Sequence, residues 1–120
     1  MKLTSNFNLE EFECKCGCKM PEFVKKNISE LADNLQVLRD VVGRLDPTNG
    51  YRCKDHNADV GGSVNSQHLK GKAADIKSKQ FSPSEIATIT DDLMKNESFT
   101  LGGVGIYNTF THVDIRGTRA

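Results

Sequence analysis

The chain has 120 residues, with 16 Lys+Arg against 16 Asp+Glu and a formal net charge of zero. That length fits one domain spanning residues 1–120, long enough to bury a core without disulfides or metal merely to stay folded, and its 37% hydrophobic and 27% charged fractions speak against disorder. It lacks the basic surplus of a nucleic-acid binder, and no segment approaches the ~18 apolar residues that span a bilayer, so neither nucleic acid nor membrane is expected as a partner.

Residues 1–8 carry no apolar run, so no secretory signal is visible and synthesis in the cytoplasm is expected. Asn8 followed by Glu11 is a capping box that opens a short helix through Phe12. Asn27 followed by Glu30 repeats that signature. Beyond it Ile28, Leu31, Leu35, Leu38, Val41, Val42 and Leu45 recur at helical spacing, which predicts one long amphipathic helix ended by Asp46-Pro47-Thr48-Asn49-Gly50. Lys72 to Lys77 reads as a short strand. Ser82 before Pro83, with Glu85 at the third helical position, opens another helix carrying Ile86, Ile89, Leu93 and Met94.

Val104 to Tyr107 then faces Phe110 to Arg116 across Asn108-Thr109, the pattern of a hairpin. A period of two along its second strand puts Thr111, Val113 and Ile115 on one face and Phe110, His112, Asp114 and Arg116 on the other. One face packs on helices while the other offers a histidine and a carboxylate. The sum is an α+β domain with a long helix against a small, mainly antiparallel sheet.

Three positions in this frame are of metal-ligand type: His68, Asp75 and His112. Gly71 lets the chain turn back between the first two, and Ala73 beside Asp75 leaves space for an ion or a substrate. Zinc sites that do chemistry use three protein ligands drawn from imidazole and carboxylate, with water in the fourth position.

The string Ser66-Gln67-His68-Leu69-Lys70-Gly71-Lys72-Ala73-Ala74-Asp75 resembles the Ser-x-His-x-x-Gly-x-Ala-x-Asp signature of zinc D-alanyl-D-alanine peptidases, relatives of the lysostaphin- and hedgehog-like metalloproteins. Gly50-Tyr51-Arg52-Cys53 with Asn57 and Val60-Gly61-Gly62 is similar to the segment that precedes the signature in that family. Gly103 to Tyr107 and Phe110 to Arg116 are similar to its closing hairpin. Phe7 to Phe12 with Cys14-Lys15-Cys16-Gly17-Cys18 resembles the start of the small phage and bacterial members.

The resemblance implies a hedgehog/D-Ala-D-Ala-peptidase-like fold and one catalytic zinc ion held by His68, Asp75 and His112. It implies hydrolysis of peptide bonds in peptidoglycan stem peptides or cross-links, of carboxypeptidase or endopeptidase type. It also implies a phage or prophage cell-wall hydrolase that reaches the wall after release or delivery. Many relatives place a His or Glu two or three residues before the last zinc histidine, where this chain has Phe110 and Thr109. Asp114 is then the nearest carboxylate for the general base, the alternative being that it orients a ligand or pairs with Arg116. Arg52 matches an arginine that faces the scissile carbonyl or the substrate carboxylate, with a surface salt bridge as its alternative. Ser66 is expected to bind substrate or fix the loop before His68, and Tyr107 to line the cleft or simply pack. His56, in a polar loop, is expected to be solvent-exposed and no ligand.

The four cysteines fit free thiols, disulfides or a second metal, because Cys-x-Cys-x-Cys is not the usual paired Cys-x-x-Cys knuckle. A zinc-bearing binding module of the same fold without turnover is the alternative function. A monomer with zero net charge has no general attraction to an anionic wall, so recognition is expected to be confined to one cleft.

Overall fold

The computed structural model describes residues 1–119. A 3-10 turn at Leu9–Phe12 begins where the Asn8 backbone N–H donates to the Glu11 carboxylate at 2.9 Å. It drops Phe12 into the core. Helix α1 then runs Glu22–Val42 and buries Val24, Ile28, Leu31, Ala32, Leu35, Leu38 and Val42, a stripe at three- and four-residue intervals.

Two boundaries of that helix differ from the sequence expectation. It starts after Pro21, five positions before Asn27, because nothing in Glu22 to Lys26 interrupts helical geometry. Asn27 therefore lies inside α1, where its side-chain amide donates to the Lys70 carbonyl at 2.8 Å instead of capping. The helix also ends early. Gly43 adopts φ +81° and its N–H closes on the Arg39 carbonyl, so Leu45–Asn49, expected to finish and break the helix, forms strand β1. Pro47 is tolerated there because β1 is an edge strand. Val41 faces solvent at the end of α1, while Leu45 is buried from the strand.

Among the described residues the other elements are a short helix α2 (Lys54–Asp59), a 3-10 turn at Gln67–Lys70, strand β2 (Ala73–Ser78), helix α3 (Pro83–Lys95), and strands β3 (Val104–Ile106) and β4 (Thr111–Asp114). The capping box expected at α3 is present, with Ser82 Oγ accepting from the Glu85 N–H at 3.2 Å. The strands form one antiparallel sheet in the order β1-β2-β4-β3. The α+β architecture expected from the sequence is thus observed.

Register explains what each face of the sheet does. Ala74 pairs with Val113 and Ile76 with Thr111; these side chains join Ile115 beneath α1 and α3. The alternate residues Asp75, His112 and Asp114 share the opposite face, with Asp75 directly across from His112. No helix among the described residues is long and apolar enough to cross a membrane.

Candidate active site

Asp75 sits at the centre of the polar face. A bulge in β1 between Pro47 and Asn49 brings Asn49 opposite it, and the Asn49 side-chain amide donates to Asp75 Oδ2 at 3.3 Å. That leaves Oδ1 for the two histidines. His112 Nδ1 lies 3.1 Å from it across the strand pair, and His68 Nε2 lies 3.3 Å away.

His68 reaches this point from the 3-10 turn. Ser66 Oγ caps the turn by accepting from the His68 N–H at 3.2 Å. The chain then reverses at Gly71, which has φ +73° and no room for a side chain: a Cβ there would meet Val24 Cγ1 at 2.8 Å. The spacing of seven between His68 and Asp75 thus becomes a close contact through one turn and one left-handed residue.

The far nitrogens of both rings are also held. His68 Nδ1 lies 2.7 Å from the Gly50 carbonyl, an acceptor only, so Nδ1 carries the hydrogen and the Nε2 lone pair points at Asp75. His112 Nε2 lies 2.9 Å from Asp114 Oδ2 and donates to it, which turns the Nδ1 lone pair of the neutral ring towards Asp75 as well. Two nitrogen lone pairs and a carboxylate oxygen then converge with no hydrogen between them, an arrangement that requires a cation. A proton is one answer. Burial alone would push the His112 pKa down, but hydrogen bonds to Asp114 and Asp75 carry it up to about 9. A metal ion is the other answer, and the three ligand atoms lie within 4.8 Å of one another. Two nitrogens and one oxygen match the donor set of zinc sites that keep a position open. Burial raises the Asp75 pKa, yet the facing histidines more than offset this and hold it well below the usual carboxylate range.

The surroundings of Asp114 weigh against the general-base expectation and towards the alternative, that it orients His112 and pairs with Arg116. It is fully buried. Its Oδ1 accepts from the Gly103 N–H and from Arg116 Nε, both at 2.8 Å, and its Oδ2 accepts from Arg116 Nη2 at 2.7 Å as well as from His112. Burial raises its pKa, but Arg116 and then His112 hold it well below the ordinary carboxylate range, which makes it a poor proton acceptor. Gly103 is part of this clamp, since a Cβ there would lie 2.7 Å from Asp114 Oδ2. Asp114 is placed to hold His112 in one tautomer and orientation.

Above these groups opens a cleft of about 510 Å³, lined by His68, Asp75 and His112 with Arg52, Ser66 and Arg116. Arg52 Nη2 is 3.4 Å from Ser66 Oγ, while its buried Nε has no hydrogen-bond partner. Tyr107 is exposed at the rim and stacks on Phe110 with ring centroids 4.6 Å apart. The structure therefore brings Arg52, Ser66 and Tyr107 to the same cleft as the three ligand-type residues. His56 lies in α2, half-buried, and is not part of the cluster. Asn49, the Gly50 carbonyl and Gly103 escaped sequence reasoning. Their roles come from a bulge and from backbone atoms, which leave no residue-type signal.

An α+β domain that presents two imidazoles and a carboxylate on the floor of an open cleft has the make-up of a metal-dependent hydrolase. The chain belongs to the Peptidase M15 family, which it matches over residues 5–114, a zinc-dependent family of D-Ala-D-Ala carboxypeptidase type. No curated protein matches the chain.

Proposed function

We propose that the protein is a zinc metallopeptidase that hydrolyses peptide bonds in peptidoglycan stem peptides or cross-links. The observation that carries this reading is the convergence of His68 Nε2, Asp75 Oδ1 and His112 Nδ1 at the floor of the cleft in a Peptidase M15 chain. These three side chains would hold one zinc ion, leaving the site a formal charge of +1. When bound, the ion supplies Lewis acidity towards a carbonyl and lowers the pKa of a water to about 7.

The protein's own groups do the rest. Asn49, the Gly50 carbonyl and Asp114 lock the three ligand side chains in one orientation. Arg52 lines the cleft with a guanidinium whose Nη2 lies beside Ser66 Oγ, suited to a developing oxyanion or a substrate carboxylate. Ser66 holds both Arg52 and the turn of His68, and the Tyr107–Phe110 stack supplies an apolar rim for the peptide. The whole chain acts as one monomeric domain on the cell wall, in the setting of phage or prophage lysis; the resemblance to small phage-type members supports that setting.

The experiment is digestion of defined muropeptides with and without a chelator, with fragments identified by mass spectrometry. Chelator-sensitive release of a D-amino acid or a split cross-link is expected. One observation favours a second reading, a zinc-bearing binding module: among the described residues lining the cleft, Asp75 is the only carboxylate. Zinc bound with no cleavage of any muropeptide would establish that reading and overturn the peptidase.

A further inference from the structure

The segment from Glu13 to Met20 has neither helix nor strand, yet it carries Cys14, Cys16 and Cys18 to one point. The turn from Cys14 to Gly17 is closed by the Gly17 N–H on the Cys14 carbonyl at 3.0 Å, and Gly17 takes φ +83° with open space around it. Cys53 meets this turn from 39 positions along the chain from Cys14. The sulfurs lie 3.3 Å apart for Cys14–Cys16, 3.5 Å for Cys16–Cys53 and 3.9 Å for Cys14–Cys53, and all four, Cys18 included, fall within 4.8 Å of one another.

A disulfide would need about 2.0 Å. A zinc tetrathiolate with bonds of about 2.3 Å sets sulfur–sulfur edges of about 3.8 Å, close to the spacings observed. Two backbone amides also point at these sulfurs: the Cys53 N–H at Cys14 Sγ and the His56 N–H at Cys53 Sγ, both at 3.5 Å. Donors aimed at sulfur stabilise thiolate charge, as the surroundings of a metal site do. Two pairwise disulfides would leave no reason for four sulfurs to share one centre.

We infer that Cys14, Cys16, Cys18 and Cys53 form a second, structural zinc site, separate from the cleft. It ties the irregular N-terminal segment to the residue that follows Arg52 and caps α2. The same stretch is braced on both sides: the Tyr51 N–H donates to the Phe12 carbonyl at 2.8 Å and the Arg52 N–H to the His68 carbonyl at 3.1 Å. The site thereby holds the wall of the cleft that carries Arg52 and the Gly50 carbonyl. Its donor set is closed, so it has structure as its role and no open position for chemistry.

The test is metal content by elemental analysis of protein purified under reducing conditions. About two zinc ions per chain are expected, falling to about one in the Cys16→Ser/Cys18→Ser variant and to about one in His68→Ala/His112→Ala. Cobalt substitution should give a thiolate-to-cobalt charge-transfer band that the first variant loses and the second keeps. If the cysteine variant does not fold, the wild type still decides: titration of its thiols with a mercurial should release one zinc as four thiols react. Iron in place of zinc, disulfides found by mass spectrometry, or four thiols that react without releasing metal would each overturn the inference. The result is independent of peptidase activity, because the second variant removes the cleft's own ligands.

Discussion

Asp114→Asn separates the two roles open to this carboxylate. The substitution keeps the shape but removes the charge between Arg116 and His112. Arg116 loses the anion behind two bonds of 2.7 and 2.8 Å, and the amide can no longer accept from both neighbours through Oδ2. Removing one member of a buried ion pair costs about 3–5 kcal/mol. The partner left behind, Arg116, is a third exposed and regains water, so the loss is nearer that of a charged hydrogen bond, about 1.5 kcal/mol. With an unfolding entropy near 2.1 cal/mol/K per residue over 120 residues, that is a fall of about 6 °C in Tm. At the cleft, loss of the acceptor for His112 Nε2–H frees the ring to rotate or change tautomer, which costs about 10–100-fold in metal affinity. Competition against a chromophoric chelator measures the affinity, and thermal melting by circular dichroism measures the stability. Wild-type zinc affinity and Tm together with abolished turnover would refute the positioning role and return Asp114 to proton transfer.

Arg52→Ala should lower kcat/KM on muropeptides by on the order of 10²-fold, with zinc content unchanged, if the guanidinium stabilises charge as it develops; unchanged kinetics would remove it from the machinery. Gly71→Ala places a Cβ 2.8 Å from Val24 Cγ1 at φ +73°, so it should destabilise by at least about 1–2 kcal/mol, read by urea denaturation. A fully wild-type curve would contradict the close approach. In protein stripped of metal, the His112 pKa stands at about 9 against 6.5 unfolded. Its contribution is fully present below about 6.5 and lost as pH rises through about 9, because the folded state then binds the proton more tightly than the unfolded chain. Denaturation of the chelated protein should therefore show stability falling between pH 6.5 and 9.5, and a flat profile would contradict the ion-pair environment of His112.

Much of this molecule is legible along the chain because the relevant physics is local. The capping box at Ser82 and Glu85, the turn at Gly71 and the alternation around His112 act within a few residues, and the structure agrees with each. The Ser-x-His-x-x-Gly-x-Ala-x-Asp resemblance around Gly71 likewise marks His68 and Asp75 before any fold is known, where their spacing alone says little. The boundaries of α1 were less legible. Asn27 and Glu30 satisfy a capping pattern that the already running helix does not use, and Pro47 signals a helix stop where an edge strand tolerates it.

What only the tertiary structure decides is which distant groups meet. Sequence places Asp114 two residues after His112, but not the burial or the Arg116 and Gly103 contacts that occupy its oxygens. It shows four cysteines, but not that Cys53 closes their cluster. Proton affinity and metal affinity depend on the charges and dipoles within a few ångströms, and at this site most of those arrive from other strands and turns.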